Sequence, residues 1–92
     1  MLSGFEQLVP GYLARQKRDV SGMISLLADS DYDRLEVLGH NMKGSGASYG
    51  FTELTRFGAD LETAAMQADH DAIASQIPQL DDYLSRVQLV AR

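Results

Sequence analysis

Residues 40–51, HNMKGSGASYGF, combine side chains that could hold a phosphoryl group. An imidazole is a nucleophile through its unprotonated nitrogen, and its reference pKa of about 6.5 leaves much of it neutral at physiological pH. If the segment is helical, Lys43 follows His40 by one turn and would attract an anion placed on the ring. Gly44, also one turn away, would leave the space around the imidazole open. A surface histidine with no role fits the same spacing, so spacing alone leaves both interpretations open.

The glycines and serines of this segment are typical of a loop, but the apolar pattern favours a helix. At about 100° per residue, His40 points toward solvent, opposite an inner face that continues through the segment without a change of phase. Glycine costs about 1 kcal/mol at a helical position. Close approach of another helix would explain Gly46, whereas Gly44 lies on the exposed face, where packing offers little reason for a glycine. The predicted inner face consists of Leu35, Leu38, Met42, Ser45 and Tyr49.

Four amphipathic segments predict four helices, the first from about residue 9 to residue 28. Pro10 would lie in its first turn, where a missing N–H costs nothing. Ahead of it, Ser3 and Glu6 have the spacing of a capping box that would open a short additional N-terminal helix. Residues 29–31, Asp-Ser-Asp, would end the first helix and offer an N-cap to the second. The inner face of the first helix is predicted to carry Val9, Tyr12, Leu13, Gln16, Val20, Met23, Ile24 and Leu27.

The other helices have recognisable ends. Gly50 would end the second helix in a left-handed conformation, while Thr52 would cap the third and Asp69 the fourth. Pro78 removes a hydrogen bond inside the fourth helix and predicts a kink. Because the connections are short, neighbouring helices should run antiparallel. The predicted fold is all-α, an antiparallel up-down-up-down four-helix bundle forming a single domain over residues 1–92.

Composition narrows the function classes. The net charge of −5 argues against nucleic acid as a partner, since phosphate binding needs a basic face. The chain has no cysteine, which excludes disulfides and thiolate chemistry. The longest apolar runs are far short of a membrane span, and the first residues lack the pattern of a signal peptide. These features predict a cytoplasmic protein that does not enter the membrane.

The segment 40–51 resembles the signature of histidine-containing phosphotransfer (HPt) domains: a His, two residues, Lys-Gly-Ser, and a Gly shortly after. The predicted four-helix layout is also similar to that family's bundle. One departure is Gly39, where the family often has alanine; we expect it to loosen the helix just before the histidine.

The resemblance implies a phosphorelay carrier. His40 would accept a phosphoryl group from an aspartyl phosphate on a receiver domain and pass it to another receiver. Lys43 would stabilise the phosphorylated form, Gly44 would admit the partner, and Ser45 would be a supporting neighbour. The implied partners are a response-regulator receiver domain and a hybrid sensor histidine kinase. The receiver supplies the catalytic site and its Mg²⁺, so no enzyme activity, cofactor or metal site is expected here.

Two apolar residues, Val37 and Ala47, are predicted to be exposed near His40 and to form the apolar centre of a docking patch. The alternative function is a helical adaptor that binds a receiver or kinase through the same face and is never phosphorylated. A hydrolase is disfavoured because no acid–base or nucleophile–base pair is evident. His70, between Asp69 and Asp71, is read as part of a solvated helix start, since three adjacent residues do not converge on a metal.

Overall fold

The computed structural model describes the backbone of residues 4–91 and the side chains of residues 8–87. Within this range the chain forms four α-helices and no strand, which confirms the predicted all-α class. Among the described residues, no helix is both long enough and apolar enough to cross a membrane. The helices are α1 (Gly4–Ala28), α2 (Tyr32–Tyr49), α3 (Thr52–Met66) and α4 (His70–Ala91).

The first helix begins earlier than its sequence pattern indicates. Residues Gly4–Ala28 form one continuous helix with Pro10 inside it, so neither the start near residue 9 nor the separate N-terminal helix is correct. Pro10 removes only the one hydrogen bond that its own N–H would donate, and the helix continues on both sides of it. The predicted cap at Ser3 lies outside the described residues.

Local capping chemistry explains three of the helix ends. Asp31 is the N-cap of α2, its Oδ1 accepting a hydrogen bond from the Arg34 N–H at 3.2 Å. Asp69 Oδ1 accepts from the Ala72 N–H at 3.1 Å, which confirms the predicted cap of α4. Gly50 ends α2 with a φ of 79°, in the left-handed region that glycine adopts without strain.

The start of α3 differs from the prediction. The N-cap position is Phe51, whose side chain makes no capping bond, and Thr52 is already the first helical residue. The Phe51 ring instead stacks on Tyr12, with ring centroids 6.1 Å apart. Aromatic packing against α1 therefore positions Phe51 at the start of α3, without a side-chain cap.

The core runs along the inner faces of all four helices. Gln16 is buried among apolar side chains, as its place in the predicted stripe indicates, but Ile24 is 60% exposed rather than inward. Pro78 lies inside α4, and its kink stays a prediction. The buried apolar residues are Tyr12, Leu13, Val20, Met23, Leu27, Leu35, Met42, Leu54, Phe57, Leu61, Ala64, Ala65, Ile73, Leu80 and Leu84.

Helices α2 and α3 approach each other at glycines. A Cβ at Gly39 would lie 2.6 Å from the Glu62 nitrogen, and one at Gly46 would lie 2.8 Å from the Thr55 nitrogen. Because residue numbers rise along α2 while their contacts fall along α3, these two helices run antiparallel. The up-down-up-down order of the whole bundle stays a prediction. Gly39 therefore allows the close packing of α2 on α3. Its surroundings indicate this role rather than the expected loosening of the helix.

Candidate functional site

The imidazole of His40 stands on the outer surface of α2. Its side chain is 68% exposed, as the helical phase predicts. Its Nδ1 lies 3.0 Å from Oε2 of Glu62, a residue of α3 that faces α2 at this level of the bundle. The antiparallel packing of α2 on α3 thus brings a carboxylate to one edge of the ring.

Lys43 shares this carboxylate. Its Nζ donates a hydrogen bond to the other oxygen of Glu62, Oε1, at 2.7 Å. The Glu62 side chain is only 19% exposed, whereas that of Lys43 is 40% exposed. One carboxylate therefore links the histidine and the lysine, each through its own oxygen.

Electrostatics keep this carboxylate ionised. The hydrogen bond from Lys43 holds the pKa of Glu62 below its ordinary value; partial desolvation opposes this shift, and the hydrogen bond from His40 adds to it. An ionised carboxylate can only accept hydrogen bonds, so Nδ1 of His40 must carry a proton. In the neutral imidazole the lone pair is then on Nε2, the ring nitrogen away from Glu62.

The surface after His40 is open. A Cβ at Gly44 would have no neighbouring side chain or helix within 4 Å, and Ala47, one turn further, is exposed. A large partner could therefore approach the ring from this side, because position 44 carries no side chain that would block it.

Ser45 faces α1 rather than α3. Its hydroxyl lies 2.8 Å from the hydroxyl of Tyr12 and also donates to the Met42 carbonyl at 3.4 Å. Tyr12 is buried and stacks on Tyr49, with ring centroids 4.1 Å apart. Ser45 therefore connects α2 to α1, and its hydroxyl bonds to Tyr12 and Met42 rather than to His40, Lys43 or Glu62.

Val37 lies one turn before His40 and is 57% exposed. It lines a groove between α1 and α2 together with the partly buried Leu26 and Leu38. Arg18 and Arg34 also line this groove, as do Asp19 and Gly22. Val37 is therefore part of a groove whose lining carries more positive than negative charge. Ala47, the other residue of the predicted patch, does not line this groove, and the patch stays a prediction.

No group of three or more His, Cys, Asp or Glu side chains that could hold a metal ion occurs within the described part of the chain. His70 Nδ1 lies 3.8 Å from Asp71 Oδ1, and both side chains are exposed. Their exposure fits the solvated helix start predicted for this segment.

Glu62 is the site residue that the sequence interpretation missed. It lies 22 residues after His40, and only the register between α2 and α3 brings the two together. The available signal was a carboxylate on the predicted third helix, next to the inward-facing Leu61, at a level that an antiparallel neighbour would bring close to His40. The same register was needed to see that Gly39 and Gly58 face each other.

Comparison with known proteins supplies one match. The family model described as Hpt domain matches residues 2–89, nearly the whole chain. Searches of curated proteins and of solved structures gave no match.

Proposed function

The chain belongs to the Hpt domain family, whose members carry out histidine phosphotransfer in phosphorelays, and from this premise we propose that His40 is the phosphoacceptor. The observation that carries the proposal is the exposed imidazole on α2, with a lysine one turn away and open space at position 44. The phosphoryl group would come from an aspartyl phosphate on a receiver domain and pass to a second receiver.

In the proposed transfer, a P–N bond to His40 replaces the P–O bond to the receiver aspartate. The Nε2 lone pair of neutral His40 attacks phosphorus, and a P–N bond forms. The P–O bond to the aspartate breaks, and the carboxylate oxygen leaves with the electron pair. The ring, still protonated at Nδ1, becomes a phosphorylated imidazolium. Onward transfer reverses these steps with a carboxylate of the second receiver, whose own acidic site and Mg²⁺ provide the catalysis.

The neighbours of His40 have separate proposed roles. Lys43 would stabilise the phosphoryl group by charge, because its ammonium lies on the same surface and is part exposed. Gly44 would leave room for the receiver. Ser45 supports the site indirectly, through the hydrogen bond that ties α2 to Tyr12 of α1.

The proposed partners are a response-regulator receiver domain and a hybrid sensor histidine kinase, docking on the face that carries Val37 and Ala47. We propose that residues 1–92 act in the cytoplasm as a single carrier domain, with no catalytic site of its own. A non-phosphorylated adaptor could use the same face, and the two functions differ in whether a covalent bond to His40 forms.

The proposal is tested by measuring transfer of a radiolabelled phosphoryl group from a receiver domain to this protein. Receiver domains carrying radiolabelled aspartyl phosphate are mixed with the wild-type protein, with His40→Gln, and with His70→Gln as the matched histidine control. We expect acid-labile, alkali-stable label on the wild type and on His70→Gln, and none on His40→Gln. Binding without transfer of label from any receiver would favour the adaptor.

A further inference from the structure

The Glu62 carboxylate forms hydrogen bonds with both the histidine and the lysine of the site. Oε2 accepts from His40 Nδ1 at 3.0 Å, and Oε1 accepts from Lys43 Nζ at 2.7 Å. In the unphosphorylated protein, Glu62 therefore already neutralises the charge of Lys43. Lys43 is the cation that would stabilise the phosphoryl group in the proposed function.

Phosphorylation would change this balance of charge. A phosphoryl group adds about two negative charges at pH 7, and these would lie on the same imidazole that Glu62 contacts. Lys43 and Glu62 are the charged side chains in contact at this site, and the partly exposed Glu36 lies one turn before His40 on α2. Lys43 and the protonated ring then carry two positive charges against about three negative charges on the carboxylate and the phosphoryl group, so the anions are not fully neutralised.

We propose that Glu62 competes with the phosphoryl group for Lys43 and thereby shortens the lifetime of phosphorylated His40. This inference rests on the proposed function, and it assigns Glu62 as a positioning residue of that site. Glu62 repels the phosphoryl group, because both are anionic. Its hold on the Nδ1 proton also keeps the phosphorylated ring cationic, and a cationic ring takes back the P–N electron pair more readily.

The same contact determines which ring nitrogen reacts. With Nδ1–H donated to Glu62, the lone pair of the neutral ring is on Nε2. Glu62 therefore presents one nitrogen to the partner, whereas a ring without this contact would exchange between two tautomers.

The first measurement is the lifetime of the phosphohistidine. Wild type, Glu62→Gln and Glu62→Ala are phosphorylated with phosphoramidate, a small donor that needs no receiver, and decay is followed by ³¹P NMR. Glu53→Gln is the matched control, since Glu53 is an ion-paired carboxylate on the same helix that pairs with Arg56. We expect the phosphohistidine of both Glu62 variants to have a lifetime roughly threefold longer or more, as removal of one surface charge interaction allows. The phosphohistidine of Glu53→Gln should decay at the wild-type rate.

The second measurement is the tautomer of His40 in the unphosphorylated protein, read from ¹⁵N shifts of labelled histidine. The only other histidine, His70, is an internal reference. We expect Nδ1–H in the wild type, retention of that tautomer in Glu62→Gln, whose amide oxygen can accept, and a mixture in Glu62→Ala.

The outcomes separate this inference from the function on which it rests. Phosphorylation at His40 with equal lifetimes in the wild type and both Glu62 variants overturns the competition for Lys43 and leaves the carrier function intact. A His40 tautomer unchanged in Glu62→Ala overturns the positioning role. Failure of phosphoramidate and of all receivers to label His40 overturns the proposed function, and this inference with it.

Discussion

Lys43 on α2 reaches Glu62 on α3, with its Nζ 2.7 Å from the carboxylate oxygen Oε1. This ion pair, together with the hydrogen bond from His40, joins two antiparallel helices at the level of the site. It links the stability of the fold to the ionisation of a single carboxylate, because these contacts favour the charged form of Glu62.

The linkage predicts how stability responds to acid. The pKa of Glu62 is lowered in the folded protein, chiefly by the hydrogen bond from Lys43. The unfolded chain therefore binds a proton at higher pH than the folded one, so this contribution is present above the unfolded pKa and is lost as pH falls through the folded pKa. We expect Glu62→Gln to unfold at a lower temperature than the wild type at pH 7, and this difference to shrink toward pH 3.

Thermal unfolding followed by circular dichroism at several pH values measures this effect. The exposed carboxylate Asp82, which pairs with Arg86 on α4, provides a control as Asp82→Asn. A difference between Glu62→Gln and the wild type that stays constant from pH 7 to pH 3 would show that the carboxylate charge is not its cause.

Local features of this fold could be predicted from sequence, because their physical causes lie within a few residues. Asp69 caps the helix that follows it, Gly50 adopts the left-handed conformation that ends α2, and His40 faces solvent because the apolar phase of α2 places it there. The early start of α1 was missed, since Pro10 at a first turn and Pro10 in an interior give similar local patterns.

Features that depend on the register between helices could not be predicted. The contact of Glu62 with His40 spans 22 residues and depends on how far α2 slides along α3. The pairing of Gly39 with Gly58 requires the same information, and helical periodicity gives the face of each residue but not its level along the partner helix.

The α2–α3 contact at these glycines predicts a large effect of a single methyl group. A Cβ at Gly39 would lie 2.6 Å from the backbone nitrogen of Glu62 and 2.8 Å from the carbonyl oxygen of Gly58. Backbone atoms cannot move aside as a flexible side chain can, so the helices would have to separate. We expect Gly39→Ala and Gly58→Ala each to cost about 1–3 kcal/mol of unfolding free energy.

Chemical denaturation measures this cost, with Gly11→Ala as the control. Gly11 is an exposed helical glycine with nothing within 4 Å of an added Cβ, so alanine there should stabilise by up to about 1 kcal/mol. If Gly39→Ala is as stable as Gly11→Ala, the close approach of α2 and α3 is not what requires the glycine.

The open surface at Gly44 predicts a kinetic effect without a loss of stability. A leucine there has space in the free protein and a better helix propensity than glycine. It would, however, stand one turn from His40 and obstruct a receiver. We expect Gly44→Leu to fold at least as stably as the wild type but to accept the phosphoryl group from a receiver at least tenfold more slowly.

Phosphoramidate distinguishes obstruction from chemical damage, because this donor is small enough to pass a leucine. Gly44→Leu should react with phosphoramidate within about twofold of the wild-type rate, and Gly11→Leu should match the wild type with both donors. Normal transfer from receivers to Gly44→Leu would mean that partners approach His40 from another side.

The groove at Val37 predicts where binding energy comes from. Val37 is 57% exposed beside Leu26 and Leu38, one turn from His40, and burial of its methyl groups would favour a partner with an apolar contact surface. We expect Val37→Ser to weaken receiver binding by about three- to tenfold, while phosphorylation by phosphoramidate stays unchanged, because the imidazole and its neighbours are untouched.

Ile24 offers a matched control. It is 60% exposed and lines a different groove, between α1 and α4, with Ile77 and Pro78. Ile24→Ser removes a similar amount of exposed apolar surface and should leave receiver affinity within about twofold of the wild type, as measured by calorimetry or surface plasmon resonance. If Ile24→Ser weakens binding and Val37→Ser does not, the receiver docks on the α1–α4 side, and His40 must then be reached by a partner that contacts little of the surface around it.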